Sequence, residues 1–293
     1  MNQRDQKDWQ DRALAEVLAG VASKDSLKKA LIFKGARILN LHLKTQRQSL
    51  DIDTNLSVEF QQSMPGRQEQ ADWFESQLTR VLETHFESQN PVRYTLRSVK
   101  VTNKPQREPH HHGWDGLIAE IRITDNRYQG VRSLPALKLE IAAPEHLGMN
   151  AICELSLGEA AIQAYSLPRI AGEKLRAFLS SLPTYRNKIG SVERIARAKD
   201  LFDLARILEH RPIADQEFWI NVEKEFVLAC ENRLVDCFGI QSFHENWEQT
   251  EQTYISDPSL NDVPWKAAET TLGTITSFLA VREVFPLVYP IPD

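Results

Sequence analysis

Two aspartates separated by a single isoleucine, Asp51-Ile52-Asp53, run directly into LSVEF, a stretch that reads as a strand. On a strand, positions i and i+2 point to the same side. Ile52 then faces a core while both carboxylates stand side by side on the opposite face. Like charges held that close are unfavourable unless a cation lies between them or one carboxyl keeps its proton. The motif therefore asks for a strand with one buried face and one face open to a metal and a phosphate. Taken alone it is also satisfied by a solvated strand edge or a turn.

Upstream, Lys34-Gly35 precedes a short apolar helical stretch at 36–43. A helix start offers unpaired backbone N–H groups and the positive end of the helix dipole to an anion. Glycine lets a phosphate approach the backbone, because no Cβ intervenes. Arg37 adds a second positive charge, and a plain turn would use the same residues. In the strand-like segment 134–142, Leu137, Leu139 and Ile141 share one face, leaving Lys138 and Glu140 on the other. If that strand neighbours the one carrying Asp51 and Asp53, Glu140 completes a three-carboxylate cage. Such hard oxygen ligands suit Mg²⁺, which keeps waters and takes substrate phosphates as further ligands. An exposed ion pair on a sheet face is the alternative reading of Lys138 and Glu140.

Helical spacing is expected at 8–22, in SLKKALI ahead of the Lys34-Gly35 turn, and at 67–88, where Trp73, Phe74, Leu78, Val81, Leu82 and Phe86 recur at the right period. Strands are expected at 51–60, 92–102, 117–124 and 134–142, and in IQAYSL. Beyond Pro168 the pattern turns helical, in RIAGEKLRAFLSSL, SVERIARAKDLFDLARILEH, DQEFWINVEKEFVLACENRLVDCFG and VPWKAAETTLGTITSFLAVREVF. The expectation is an α+β chain, with a mixed-sheet domain over 1–167 that includes the N-terminal helices and a helical domain over 168–293. No apolar run approaches the roughly 18 residues that a membrane helix needs. Three scattered cysteines, Cys153, Cys230 and Cys237, make no disulfide framework and lack metal-ligand spacing, so a reducing cytoplasm is the expected setting.

The net charge of -5 is unevenly spread. Residues 169–211 carry 10 basic and 5 acidic side chains, whereas 212–293 carry 4 and 14. A basic segment on an acidic chain suits a polyanion pocket, and equally suits ordinary variation between helices. Within it, Ile170, Leu175 and Leu179 are expected to pack inward, with Glu173, Lys174 and Arg176 around the flank. On the next helix Arg197 and Asp200 are i,i+3 neighbours, and Lys199 and Asp203 are i,i+4 neighbours. His110 to His112 are adjacent in sequence and cannot easily converge on one ion, so a loop is expected there. Trp219, Phe226, Trp247 and Trp265 read as core rather than as a platform for stacked bases.

Lys34-Gly35, RQSLDID at 47–53, KLEI at 138–141, EKLRA at 173–177 and KDLFDL at 199–204, in that order, resemble the AbiEii/AbiGii family of nucleotidyltransferase toxins. That family belongs to the DNA-polymerase-β-like nucleotidyltransferase superfamily, and the resemblance spans about residues 30–210. It implies a Mg²⁺-dependent transfer of a nucleoside monophosphate from a nucleoside triphosphate to an acceptor hydroxyl, with RNA (a tRNA end) as the acceptor. It implies a phage-defence toxin (abortive infection) with a cognate antitoxin as a possible partner and no membrane association. By the same resemblance Asp51 and Asp53 hold Mg²⁺, Glu140 is the third carboxylate, and Lys174 with Asp200 forms a helical half that completes the active-site cleft, Lys174 on the triphosphate. Lys34, Gly35 and Ser49 grip phosphates, with Arg37 beside them. Ala36 stands where the family has glycine, serine or threonine, Glu140 where aspartate is commoner, and Lys199 in place of arginine. Two other readings remain open: a nucleotidyltransferase acting on a small molecule, and a non-catalytic or regulatory nucleotide-binding protein on a degenerate transferase fold.

Overall fold

The computed structural model describes residues 2–45, 47–106, 115–128, 134–191 and 195–291, so His110 to His112 lie outside the described residues. The chain divides into two compact units, one built from Met1–Leu41, Thr45–Glu145 and Ile152–Tyr165, the other from His42–Lys44, His146–Ala151 and Ser166–Asp293. Among the described residues, no helix is long and apolar enough to cross a membrane.

The first unit opens with α1 (Gln3–Ala22), whose start is capped by the Asn2 side chain accepting from the Asp5 amide. Its apolar stripe of Trp9, Leu14, Val17 and Val21 is buried. Next, α2 (Asp25–Ala30) passes straight into β1 (Leu31–Lys34). The sequence had suggested helix through SLKKALI, ending at Ile32 ahead of the Lys34-Gly35 turn. Burial on both sides decides otherwise, because Leu31, Ile32 and Phe33 lie in the core as a short strand. Then come α3 (Gly35–Leu43) and β2 (Ile52–Leu56). The strand expected to reach residue 60 stops at Leu56, because Ser57 accepts from the Phe60 amide and caps α4 (Val58–Ser63).

The remaining elements of this unit are α5 (Arg67–Glu87), β3 (Tyr94–Lys104), β4 (Gly116–Asp125), β5 (Leu137–Ala142), β6 (Ile152–Leu157) and β7 (Ala160–Tyr165). Among the described residues, seven strands form one mixed sheet in the order β3-β4-β5-β2-β1-β7-β6. The pairs β1–β7 and β2–β5 are parallel, and the other pairs are antiparallel. One face of β3 and β4 is covered by α5, and the alternating side chains Val99, Val101, Leu117, Ala119, Ile121 and Ile123 are buried beneath it. Strand β6 escapes sequence reading because it lies at the sheet edge, with no fully buried residue to mark a face.

The second unit is helical: α6 (Leu167–Leu179), α7 (Pro183–Lys188), α8 (Ala198–His210), α9 (Gln216–Asn232), α10 (Trp247–Ser256) and α11 (Trp265–Val281). α6 packs on α8 and α9. Its approach to α9 is so close that a Cβ on Gly172 would stand 2.6 Å from the Phe226 amide nitrogen. Trp219, Phe226, Ala268, Leu272 and Ile275 fill the interior, as the aromatic content had suggested.

Asp125 ties α1 to the sheet. It is 2% exposed and its Oδ2 accepts from the Trp9 indole N–H at 3.1 Å and from Arg93 at 3.1 and 3.2 Å, while Oδ1 accepts from the Arg127 amide at 2.9 Å. Replacing Asp125 with alanine strands several donors. It should lower the unfolding free energy by about 2–4 kcal/mol, read from the midpoint of urea denaturation at unchanged m-value; a change under about 0.5 kcal/mol would contradict this role.

Candidate active site

The central strands line up the chemistry by register. Asp53 on β2 is the Cα partner of Lys34 on β1 and, on its other side, of Glu140 on β5. Side chains at partnered positions project to the same face of a sheet. Lys34, Asp53 and Glu140 therefore form one row, and Asp51 lies in the bend just before β2. Ile52 is 2% exposed and points into the core beside Leu139, its register partner. Ile52 and Asp53 thus take opposite faces, and β5 is the direct parallel neighbour of β2.

Gly35 sits at the junction of β1 and α3 with φ +79°, in the left-handed region that side chains make costly. A Cβ there would lie 2.1 Å from Asp53 Oδ2. The hollow left by the missing side chain is filled by the Asp53 carboxylate. Glycine is required twice over, for the turn and for the carboxylate's position. Lys34, next to it, places Nζ 5.7 Å from the Tyr165 ring centroid, and the Tyr165 hydroxyl donates to Glu145 at 3.3 Å. Tyr165 thereby fixes a face on which the lysine stem rests.

Arg37 and Ser49 lie beside this row but have protein partners. Arg37 donates to Asp11 Oδ1 at 2.8 Å and to the Ser49 carbonyl at 2.7 Å. Asp11 Oδ1 also accepts from the Ser49 amide at 3.1 Å. The Ser49 hydroxyl, 5% exposed, donates to the Asp51 carbonyl at 3.1 Å. These bonds shape the segment entering β2 and so set where Asp51 begins.

Glu140 Oε2 pairs with Lys104 Nζ at 3.1 Å, with both side chains partly exposed. Among the described residues, no group of three or more His, Cys, Asp or Glu side chains is gathered closely enough to hold an ion unaided. The donor set of Asp51 and Asp53 is nevertheless of the kind Mg²⁺ takes, since that ion completes its octahedron with waters and phosphate oxygens. The Gly35 hollow, which seats one of those carboxylates at a helix start, fits the same group.

In the helical unit, Lys174 is buried rather than flanking α6. Its Nζ lies 2.9 Å from Asp200 Oδ1 and 2.6 Å from Asp203 Oδ2 on α8. Arg197 Nε reaches Asp200 Oδ2 at 2.6 Å, as the i,i+3 spacing suggested. The expected Lys199–Asp203 pair does not form. Asp203 turns inward to Lys174, and Lys199 pairs with Asp257 at 3.3 Å. Burial opposes charge on Lys174, but Asp200 and Asp203 outweigh it and raise its pKa. Burial likewise opposes charge on Asp200, yet Lys174 and Arg197 hold its pKa down to about 2.

The sequence model of the family described as nucleotidyl transferase AbiEii toxin, Type IV TA system, matches residues 16–270. The chain belongs to the AbiEii family. It is a nucleotidyltransferase of a toxin family of type IV toxin–antitoxin systems. The search of curated proteins returned no match. Among solved structures, an antigenic nucleotidyltransferase-like protein from Paracoccidioides brasiliensis is similar at 16% identity and a TM-score of 0.33, over 77% of this chain and 90% of that one. A likeness at that level carries no weight here.

In this AbiEii-family chain two partners of the predicted residues, one in each unit, were not found from sequence. Asp203 had a signal, because Asp200 and Asp203 are i,i+3 on a helix and can hold one ammonium between them. Lys104 had none, since only the pairing of β3, β4 and β5 brings it near Glu140. Two outcomes follow. Replacing Gly35 with alanine should lower the unfolding free energy by at least about 1–2 kcal/mol, seen as an earlier urea midpoint; an unshifted midpoint would refute the close seat of Asp53. The depressed Asp200 pKa stabilises the fold above about pH 4, and that stability is lost as pH falls towards about 2. An Asp200→Asn variant should show a weaker loss of stability between pH 4 and 2 than the parent, measured by thermal melts across that range.

Proposed function

We propose that the chain moves a nucleoside monophosphate from a nucleoside triphosphate to a hydroxyl of RNA, a tRNA end fitting best, and that it does so with Mg²⁺. The observation that carries the reading is the register row Lys34–Asp53–Glu140, closed at one end by the Gly35 turn. Asp51 and Asp53 would hold the metal, which when bound neutralises phosphate charge and stabilises the attacking and leaving oxygens. Lys34 and the first backbone N–H groups of α3 receive the β- and γ-phosphates. Glu140 takes the proton of the acceptor hydroxyl, whose oxygen forms a bond to the α-phosphorus. The bond from that phosphorus to the bridging oxygen breaks, and pyrophosphate leaves on the Lys34 side.

Arg37 and Ser49 serve this scheme by fixing the entry to β2, through the bonds from Arg37 Nη2 to Asp11 and the Ser49 carbonyl and from the Ser49 hydroxyl to the Asp51 carbonyl. Lys174 and Asp200 enter it as a charged pair in the helical unit, fixed in their ionised forms at neutral pH. A cognate antitoxin, in keeping with a type IV toxin–antitoxin family, and a role in defence against phage belong to the same proposal.

The test is incubation of purified protein with each labelled triphosphate, Mg²⁺ and total RNA. Label should enter RNA, and Asp51→Asn or Asp53→Asn should cut the rate by at least about a thousandfold, as loss of transition-state electrostatics typically does. Transfer that survives both substitutions would sink the proposal. Label appearing only in small molecules would favour the other transferase reading.

A further inference from the structure

The row of carboxylates has two chemically different sides. On the β1 side lie Lys34 and the Gly35 turn. On the β5 side the sheet continues through β4 to the edge strand β3. One face of this wing is packed under α5, and the other is the face that carries Asp53 and Glu140. Following the register, Lys100 on β3 partners Glu120 on β4, which partners Lys138 on β5. One step along, Thr102 partners Ile118, which partners Glu140. A further step places Lys104 against Gly116, and the opposite step places Ser98 against Arg122.

Lys100, Lys104, Arg122 and Lys138 are all exposed. Within β3, β4 and β5 two acids share the face with these four cations, Glu120 between two lysines and Glu140 against Lys104. Positive charge is in excess over these three strands, and the acidic end of the face lies beyond them at Asp53. Lys100, Arg122 and Lys138 make no ion pair among the described residues. Neighbouring strands are about 4.8 Å apart, and alternate residues along a strand about 6.6 Å apart. The four cations are therefore spread over one face of three adjacent strands, where an extended polyanion can meet several of them at once. A small-molecule acceptor would be held in a pocket rather than across such a face.

We propose that this open β3–β4–β5 face is the docking surface for the acceptor RNA. Lys100, Arg122 and Lys138 meet its phosphates, and Lys104 stands where the strand ends beside Glu140. The inference rests on the transferase reading given above and adds the site by which a polyanion reaches the carboxylates. Phosphate contacts position a strand without reading its bases, so binding through this face is weakly selective in sequence and strongly dependent on salt.

The experiment compares the full chain with a Lys100→Ala/Arg122→Ala/Lys138→Ala variant, using end-labelled total tRNA at several salt concentrations. The variant should bind tRNA roughly tenfold or more weakly at low salt. The slope of log K against log salt should shrink by about 2, at about 0.7 per lost phosphate contact. Binding of Mg²⁺–nucleoside triphosphate, followed by fluorescent nucleotide titration, should not change. Equal tRNA affinity and equal slope in the two proteins would overturn the proposal, as would a parent protein that binds no tRNA. Asp51→Asn in the same assays separates the two ideas: it should remove label transfer and keep the tRNA slope. A transfer reaction that fails while the triple variant still loses its slope counts against the transferase reading alone.

Discussion

A carboxylate cannot sit beside a helix start unless something makes room for it, and here the room is the absent side chain of Gly35. The Asp53 oxygen occupies that hollow, so the β1–α3 turn and the β2 strand are held in one arrangement. The rest of the site is geometry propagated from there. Parallel pairing with β5 puts Glu140 level with Asp53, and antiparallel pairing with β1 puts Lys34 level on the other side. Backbone hydrogen bonds rather than long flexible side chains fix the row. A slip of one residue in either pairing would turn the acids to the core face, which the burial of Ile52 and Leu139 opposes.

The sequence was most readable where one local rule decides the outcome. Alternation at Ile52-Asp53 and around Leu137 to Ile141 placed both strands and the faces of Ile52, Asp53 and Leu139, while Asp51 falls in the bend before β2, and the long apolar period in 67–88 placed α5. Reading failed where tertiary burial overrides local pattern. Leu31 to Phe33 follow helical residues without a break, and only a sheet on both sides makes them a strand. The segment VEF looks extended until the Ser57 hydroxyl begins a helix. Strand β6 lies at an edge and therefore lacks the buried face that alternation needs.

The candidate site divides in the same manner. Lysine, glycine and the acids could be named from motif and spacing, because each belongs to one short segment. Their partners could not. Lys104 comes within reach of Glu140 through two intervening strand pairings, and Asp203 abandons a neighbour on its own helix for an ammonium on another. Such pairings depend on which elements pack together, and spacing within one element carries no information about that.

Arg37 looked like a phosphate ligand and instead bonds Asp11 and the Ser49 carbonyl, while Trp9 bonds Asp125. Both Asp11 and Trp9 lie upstream of residue 16, where the family match begins. The matched stretch therefore leaves out two residues that brace the segment before Asp51 and the end of β4. A fragment trimmed to it would keep Asp51, Asp53 and Glu140 and lose the clasp behind them, so the boundary of kinship need not be the boundary of a sound fold.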